Sequence, residues 1–148
     1  MENGYLIDFY RIGLLSMKLK STGGRMNLAK PVLLLAVFDA IGKSVVNDNK
    51  IVYNAIKPLY EEKLSLFQDE PTPLRYPFFY LKSDGFWQLK WMSDSLRIPV
   101  APSDKYLREN LAFAMFDNVL RDLLQNERTR DYLRDSIINH YKMTTKTK

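Results

Sequence analysis

Residues 75–91 constrain the fold more than any other stretch, because seven of these seventeen residues are aromatic. Ser83, Asp84 and Gly85 have the composition of a tight turn, in which glycine accepts a positive φ. The pattern predicts two short strands, residues 78–82 and 86–90, on either side of this turn. A two-stranded hairpin is barely stable alone in water. The hairpin must therefore pack against helices formed by the flanking sequence.

The sequence on both sides of this stretch has helical periodicity. Apolar side chains recur at helical spacing in four segments: residues 4–19, 51–67, 106–126 and 127–141. Within a predicted helix at residues 31–41, residues 32–38 are apolar nearly all round, which is typical of a helix at the centre of a core. We expect Asn27 or a nearby residue to cap this helix, Pro31 to lie in its first turn and Gly42 to end it.

The order of these segments predicts the fold class. Two helices, 31–41 and 51–67, precede the aromatic hairpin, which is the order of a winged-helix module. We therefore predict an α+β fold, mostly helical, with a winged-helix-like core and one short antiparallel β-hairpin. No composition break marks a linker, so residues 1–148 are predicted to form a single domain, with a frayed basic tail at 142–148.

Composition excludes several kinds of function. The chain has no cysteine and a single histidine, His140, so disulfides, cysteine nucleophiles and most metal sites are out of reach. We predict no cofactor, no metal and no catalytic activity. No apolar run is long enough to span a membrane, and Met1 is not followed by a basic signal region. We therefore expect a cytoplasmic protein that does not bind a membrane.

Positive charge is concentrated in one part of the sequence. Between Arg11 and Lys43 there are six basic residues and one acid, an excess equal to the net charge of +5 for the whole chain. A local cationic zone indicates a phosphate-rich partner. The alternative is a solvated basic loop of an ordinary protein.

Several residues could build a cleft that binds phosphate. Arg75 and Tyr76 join a cation to a flat apolar ring, and Arg97 lies just beyond the predicted hairpin. Lys30 stands at a predicted helix N-terminus, where backbone N–H groups attract anions. Such groups make the backbone contacts of DNA-binding proteins. For Tyr76 and Pro77 the alternative is a place in the core.

Three motifs resemble the N-terminal region of HNH-type restriction endonucleases. They are Lys30 to Ala36, Tyr76 to Leu81 and Asp84 to Trp87, which are similar to that family's Pro-Leu-rich helix, Tyr-Pro-Phe run and Asp-Gly-aromatic pair. Residues 5–9 and 130–141 are also similar, so the resemblance covers nearly the whole chain. In that family the region resembles a DNA sulfur-binding domain, which recognises phosphorothioate-modified DNA.

The resemblance implies a set of site residues. Tyr76 and Pro77 would line the apolar pocket that receives sulfur, and Ala29 and Lys30 would supply the other wall and a cation for phosphate. Arg97 would make a second DNA contact. Together with the charge pattern, this predicts a DNA-binding surface of eight residues: Arg25, Ala29, Lys30, Arg75, Tyr76, Pro77, Tyr80 and Arg97.

The sequence departs from the family pattern at two of these positions. Tyr80 stands where a small residue is expected, and Ala29 stands where a histidine often precedes the basic residue. We therefore predict weak discrimination between sulfur and oxygen. The chain has no His-Asn-His constellation, so the resemblance implies either that a nuclease domain or subunit acts as its partner or that the domain works alone.

Two other functions are consistent with the sequence. Residues 106–141 could form a protein-interaction or oligomerisation surface, and the winged-helix order is also that of transcription regulators. The oligomeric state is not predicted.

Overall fold

The computed structural model describes residues 2–22 and 24–146. Within these residues the chain forms helices α1 (Glu2–Leu14), α2 (Ala29–Gly42), α3 (Tyr53–Phe67), α4 (Arg75–Tyr80), α5 (Asp104–Asn110), α6 (Asn118–Leu124) and α7 (Glu127–His140). The strands are β1 (Ser21–Thr22), β2 (Arg25–Met26), β3 (Trp87–Trp91) and β4 (Leu111–Phe116), and a 3-10 helix covers Leu81–Asp84. The fold is α+β and mostly helical, as predicted.

Helix α2 forms the centre of the core, and its neighbours α3, α4 and α7 pack around it. Ten of its fourteen residues are buried, including the whole run from Pro31 to Phe38. The Asn27 side chain accepts a hydrogen bond from the Ala29 N–H at 2.8 Å, and Pro31 occupies the first turn, where a missing N–H costs nothing. The predictions for this helix are confirmed.

The first predicted strand, residues 78–82, is wrong, because these residues are helical. The aromatic residues divide between two helix faces, with Phe78 and Phe79 buried and Tyr76 and Tyr80 one turn apart on the other side. Packing on these two faces outweighs the strand propensity of aromatic residues. The predicted wing therefore does not form from residues 78–82, although Gly85 does adopt the positive φ of a turn, at 94°.

The second predicted strand is confirmed as β3, but its partner is β4 and not a neighbouring strand. The two strands are antiparallel, with Trp87 opposite Phe116 and Lys90 opposite Phe113. The predicted helix 106–126 is wrong in its middle, since residues 111–116 form β4. Leucine, alanine and methionine are good helix formers, so this run has helical propensity. Pairing with β3, and two 2.8 Å backbone hydrogen bonds between Ala114 and Ile51, determine its conformation instead.

Aromatic packing holds α4 against the sheet. Phe78 meets Trp87 and Tyr53 edge to face, with ring centroids 5.3 and 5.1 Å apart. The Trp87 indole N–H donates to the Phe78 carbonyl at 2.8 Å. These contacts fix the direction of α4, and with it the direction of the tyrosines on its outer face.

Part of the predicted tail makes contacts with the fold. Met143 is buried, the Lys146 N–H donates to the Leu66 carbonyl at 2.7 Å, and the Lys146 ammonium lies 2.7 Å from Asp69. Residues 147 and 148 lie outside the described residues. Among the helices that the structure describes, none has the length and apolar character needed to cross a membrane.

Candidate functional site

A groove of about 820 Å³ opens where the N-terminus of α2 approaches α4. We call Tyr76, Pro77 and Tyr80 the aromatic wall. Opposite it runs the strap, residues 15–20, which connects α1 to β1. In the loop of residues 68–73, which follows α3, residues 70–73 form one rim of the groove. The predicted helix 4–19 is too long at its C-terminal end, because α1 ends at Leu14. Lys18 and Leu19, at the end of the predicted segment, line the groove.

The aromatic wall presents flat apolar surface with cations beside it. Tyr76 and Tyr80 are stacked, with centroids 6.2 Å apart and planes inclined by 19°, and Pro77 lies buried beside them. The Arg75 guanidinium carbon is 4.5 Å from the centre of the Tyr76 ring, and the Lys20 ammonium is 5.6 Å from it. Cations at these distances are attracted to the ring. The wall can therefore offer apolar contact and positive charge to one ligand.

The strap is held in place by hydrogen bonds to its backbone. The Tyr141 hydroxyl donates to the Leu14 carbonyl at 2.9 Å and accepts from the Met17 N–H at 3.2 Å. At the other end the Asn27 N–H donates to the Lys20 carbonyl at 2.6 Å. Burial raises the pKa of Tyr141 to about 12, so the hydroxyl keeps the proton it donates at neutral pH. Lys18 and Lys20 are exposed and line the groove, on a backbone that these hydrogen bonds hold in place.

Among the predicted site residues, Lys30 is a cation that lines the groove, and an ion pair neutralises its charge. Its ammonium lies 2.7 Å from the Asp84 carboxylate, and the two side chains are only 15% and 2% exposed. The same ammonium donates to the Lys18 carbonyl at 2.9 Å. An ion pair this close leaves little positive field for an incoming phosphate.

The rim loop is bonded to the start of α2. The Asn27 amide donates to the Thr72 hydroxyl at 2.8 Å, and the Gln68 side chain accepts from the Leu28 N–H at 2.9 Å. The Gln68 amide also donates to the Glu70 carbonyl at 2.8 Å. Glu70 itself is exposed and lines the groove, so it adds a negative charge to an otherwise basic surface.

The structure brings together five of the eight predicted site residues. Ala29, Lys30, Tyr76, Pro77 and Tyr80 line the groove. Arg75 contacts the Tyr76 ring but does not line the groove. Arg25, on β2, and Arg97, in the irregular segment after β3, are both exposed and outside the lining.

Sequence reasoning missed the strap lysines and the rim. Lys18 and Lys20 were part of the cationic zone, but nothing in the sequence separated them from its other members. Lys43 lies at the far end of α2, about 20 Å away along the helix axis. The members of the zone that line the groove are Lys18, Lys20 and Lys30. Among the described residues, no group of three or more His, Asp or Glu side chains is placed to hold a metal ion.

A family model and solved structures match most of the chain. The family model described as "ScoMcrA-like, DNA sulfur-binding domain" matches residues 11–147. The sulfur binding domain of SprMcrA complexed with phosphorothioated DNA superposes with a TM-score of 0.71, at 17% identity over 95% of this chain and 88% of that one. The sulfur binding domain of ScoMcrA complexed with phosphorothioated DNA gives a TM-score of 0.63, at 19% identity over 90% and 87%. No curated protein matches the sequence.

Proposed function

Because the chain belongs to the ScoMcrA-like DNA sulfur-binding domain family, we propose that it is a DNA-binding module without catalytic activity of its own. In this proposal the groove receives the DNA backbone, and a phosphorothioate sulfur lies against the aromatic wall. One observation carries the proposal: the apolar surface of Tyr76, Pro77 and Tyr80 faces a strap that bears two exposed lysines.

The chemistry of the ligand fits these two surfaces. A phosphorothioate remains anionic, so Lys18 and Lys20 can attract it as they would a phosphate. Its sulfur is softer and less strongly hydrated than oxygen, and its burial against rings therefore costs less than the burial of oxygen would. The stacked pair of Tyr76 and Tyr80 supplies such surface. Tyr80 is larger than the residue expected at this position, so we expect only a modest preference for sulfur.

DNA cleavage would fall to another component. A single histidine, His140, cannot form a His-Asn-His constellation. In this proposal a nuclease domain or subunit acts on the DNA that the module marks, as part of a cytoplasmic defence system. The module contributes recognition of the modified backbone.

The two other functions fit the structure less well. The winged-helix interpretation required strands at residues 78–82, which are helical. The interaction interpretation required helices 106–141 to present a docking face, but residues 111–116 belong to the sheet and Leu133 and Ile137 of α7 are buried in the core.

A titration with matched duplexes tests the proposal. One duplex carries a phosphorothioate and the other is unmodified, and each is measured at low and moderate salt. We expect both to bind, the modified duplex about threefold more tightly, which corresponds to ~0.6 kcal/mol. Each phosphate contact should contribute about −0.9 to the slope of log affinity against log salt. Absence of binding to both duplexes, or binding that ignores salt, would contradict the proposal.

A matched pair of variants assigns the binding to the groove. Tyr76→Ala removes the aromatic surface and should weaken binding to the phosphorothioate duplex more than to the unmodified one, so that the preference for sulfur is lost. Lys43→Met removes a cation of the same zone at the far end of α2 and should leave both affinities unchanged.

A further inference from the structure

The peptide of Lys18 is enclosed by a triangle of polar contacts. Its N–H donates to one oxygen of Asp84 at 3.0 Å, and its carbonyl accepts from the Lys30 ammonium at 2.9 Å. The ammonium and the carboxylate then pair with each other at 2.7 Å. The backbone N–H and carbonyl of Lys18, which lies outside helices and strands, are thus both hydrogen-bonded. Their partners are side chains from the 3-10 helix and from α2.

This arrangement commits Lys30 to the fold. Its side chain is 15% exposed, and that of Asp84 is 2% exposed. To contact a phosphate, the ammonium would have to leave the carboxylate, and an almost fully buried negative charge would remain without its partner. Breaking one side of a buried pair is costly because the remaining charge is not solvated. The unpaired carboxylate would also lie beside the incoming phosphate and repel it.

The strap lysines have the opposite properties. Lys18 and Lys20 are exposed and line the groove, and the Lys20 ammonium lies 5.6 Å from the centre of the Tyr76 ring. Among the salt bridges of the described residues, neither lysine takes part in one. Their ammonium groups can therefore meet a phosphate without breaking an existing pair.

We propose that Lys30 and Asp84 are positioning residues, and that Lys18 and Lys20 make the phosphate contacts. The inference rests on the proposed function, since it assigns roles within the same groove. The triangle fixes the middle of the strap, while Tyr141 and Asn27 fix its two ends. The direction of the Lys18 side chain then depends on a pair of residues that do not touch the DNA.

Amine footprinting of the unaltered protein separates contact from positioning. The free chain and its complex with duplex DNA are treated with an amine acylating reagent, and the modified lysines are identified by mass spectrometry. We expect Lys18 and Lys20 to react in the free chain and to be protected by DNA. Lys30 should be protected equally in both states. Strong reaction of Lys30 in the free chain, followed by protection in the complex, would overturn the proposal.

A double-mutant cycle tests the positioning role itself. The neutral pair Lys30→Met with Asp84→Leu removes both charges of the ion pair and both hydrogen bonds to the Lys18 peptide. In the unaltered background, Lys18→Met should weaken DNA binding about fivefold, and in the neutral-pair background less than twofold, because Lys18 is no longer held at the groove. Lys43→Met is the control and should have no effect in either background. Equal losses for Lys18→Met in both backgrounds would overturn the positioning role.

The two tests remain informative if a variant does not fold or if DNA does not bind. A neutral-pair variant that fails to fold leaves the decision to the footprint of the unaltered protein. Binding of the unaltered chain to neither duplex would overturn the proposed function and the phosphate contacts with it. Binding with a protected Lys18 and an equal loss in both backgrounds would overturn the positioning role alone.

Discussion

The two sides of the groove are stabilised in different ways. The aromatic wall stands on helix α4, whose other face is packed into the core by Phe78 and Phe79. The strap has no regular secondary structure, and backbone hydrogen bonds to Tyr141, Asp84, Lys30 and Asn27 hold it. The wall depends on apolar burial, whereas the strap depends on polar contacts between residues that are distant in sequence.

This difference separates two requirements of a modified-backbone site. Apolar surface must be rigid to distinguish one atom from another, and packing against a dense core supplies that rigidity. Cations need a solvated ammonium group on a backbone that is held in place, and exposed lysines on the hydrogen-bonded strap supply both. The single cation that lies deep in the groove, Lys30, is neutralised by Asp84. We infer that selectivity and affinity are controlled by different sides of the groove.

The largest expected effect comes from removal of the core support of the aromatic wall. Phe78 is fully buried and meets Tyr53 and Trp87 edge to face. Phe78→Ala should lower the free energy of unfolding by about 3–5 kcal/mol, measured by urea denaturation. The matched truncation on the outer face, Tyr80→Ala, should cost under about 1 kcal/mol, since the ring is half-buried. A loss of under about 1 kcal/mol for Phe78→Ala as well would show that the stability of the wall does not depend on its inner face.

The next effect concerns selectivity. Tyr80 stacks on Tyr76 and lines the groove, and its hydroxyl makes a long 3.5 Å hydrogen bond to the Val100 carbonyl. Tyr80→Ala should open space beside Pro77 and raise the ratio of phosphorothioate to unmodified DNA affinity about fivefold, or ~1 kcal/mol. The strap variant Lys20→Met is the control, and it should weaken both affinities without changing their ratio. A ratio that falls in Tyr80→Ala would mean that the tyrosine ring favours the binding of sulfur and does not obstruct it.

The sequence allowed the aromatic wall to be predicted, but not its secondary structure. The Tyr-Pro-Phe motif and the resemblance identified Tyr76, Pro77 and Tyr80, and all three line the groove. Aromatic residues favour strands when considered locally. Their helical conformation depends on burial of Phe78 against Trp87 and Tyr53, which are nine and twenty-five residues away. No local pattern contains that information.

The strap was less predictable than the wall, for the same physical reason. Its position depends on hydrogen bonds that join Lys18 to Asp84 across 66 residues and Met17 to Tyr141 across 124. Lys30 was correctly placed at a helix start beside the groove, but its pairing with Asp84 is a long-range contact as well. Composition showed where basic residues are concentrated. It could not show which of them the fold would neutralise.

A smaller effect on affinity should come from the rim of the groove. Glu70 is an exposed carboxylate that lines the groove, and its negative charge repels the phosphates that the strap lysines attract. Glu70→Gln removes the repulsion and keeps the size of the side chain, so DNA should bind about two- to threefold more tightly at low salt. The gain should shrink at high salt, because exposed charges are screened. Glu62→Gln, an exposed change on α3, is the control. An equal gain in that control would trace the effect to net charge rather than to the groove.

The smallest predicted effect is a pH dependence behind the aromatic wall. Tyr53, which packs edge-on to Phe78, donates its hydroxyl hydrogen to Asp104 at 2.7 Å. That hydrogen bond, helped by the nearby Arg108, holds the pKa of Asp104 below its usual 3.8. A carboxylate that is more acidic in the folded state stabilises the fold above its unfolded pKa, and the stabilisation is lost as the pH falls through the folded pKa.

The measurement is the unfolding free energy of the unaltered chain and of Tyr53→Phe, from neutral pH down to about pH 3. Asp104 is partly exposed, so solvent screening limits the effect to about 0.3 kcal/mol. The difference in unfolding free energy between the two proteins should be largest near neutral pH and should narrow below the usual pKa of an aspartate, because Asp104 is then protonated. The other carboxylates titrate in both proteins and cancel in the difference. A constant difference across the range would exclude the Tyr53–Asp104 hydrogen bond as its source. The back of the aromatic wall would then rest on apolar packing alone, and its contrast with the strap would be sharper.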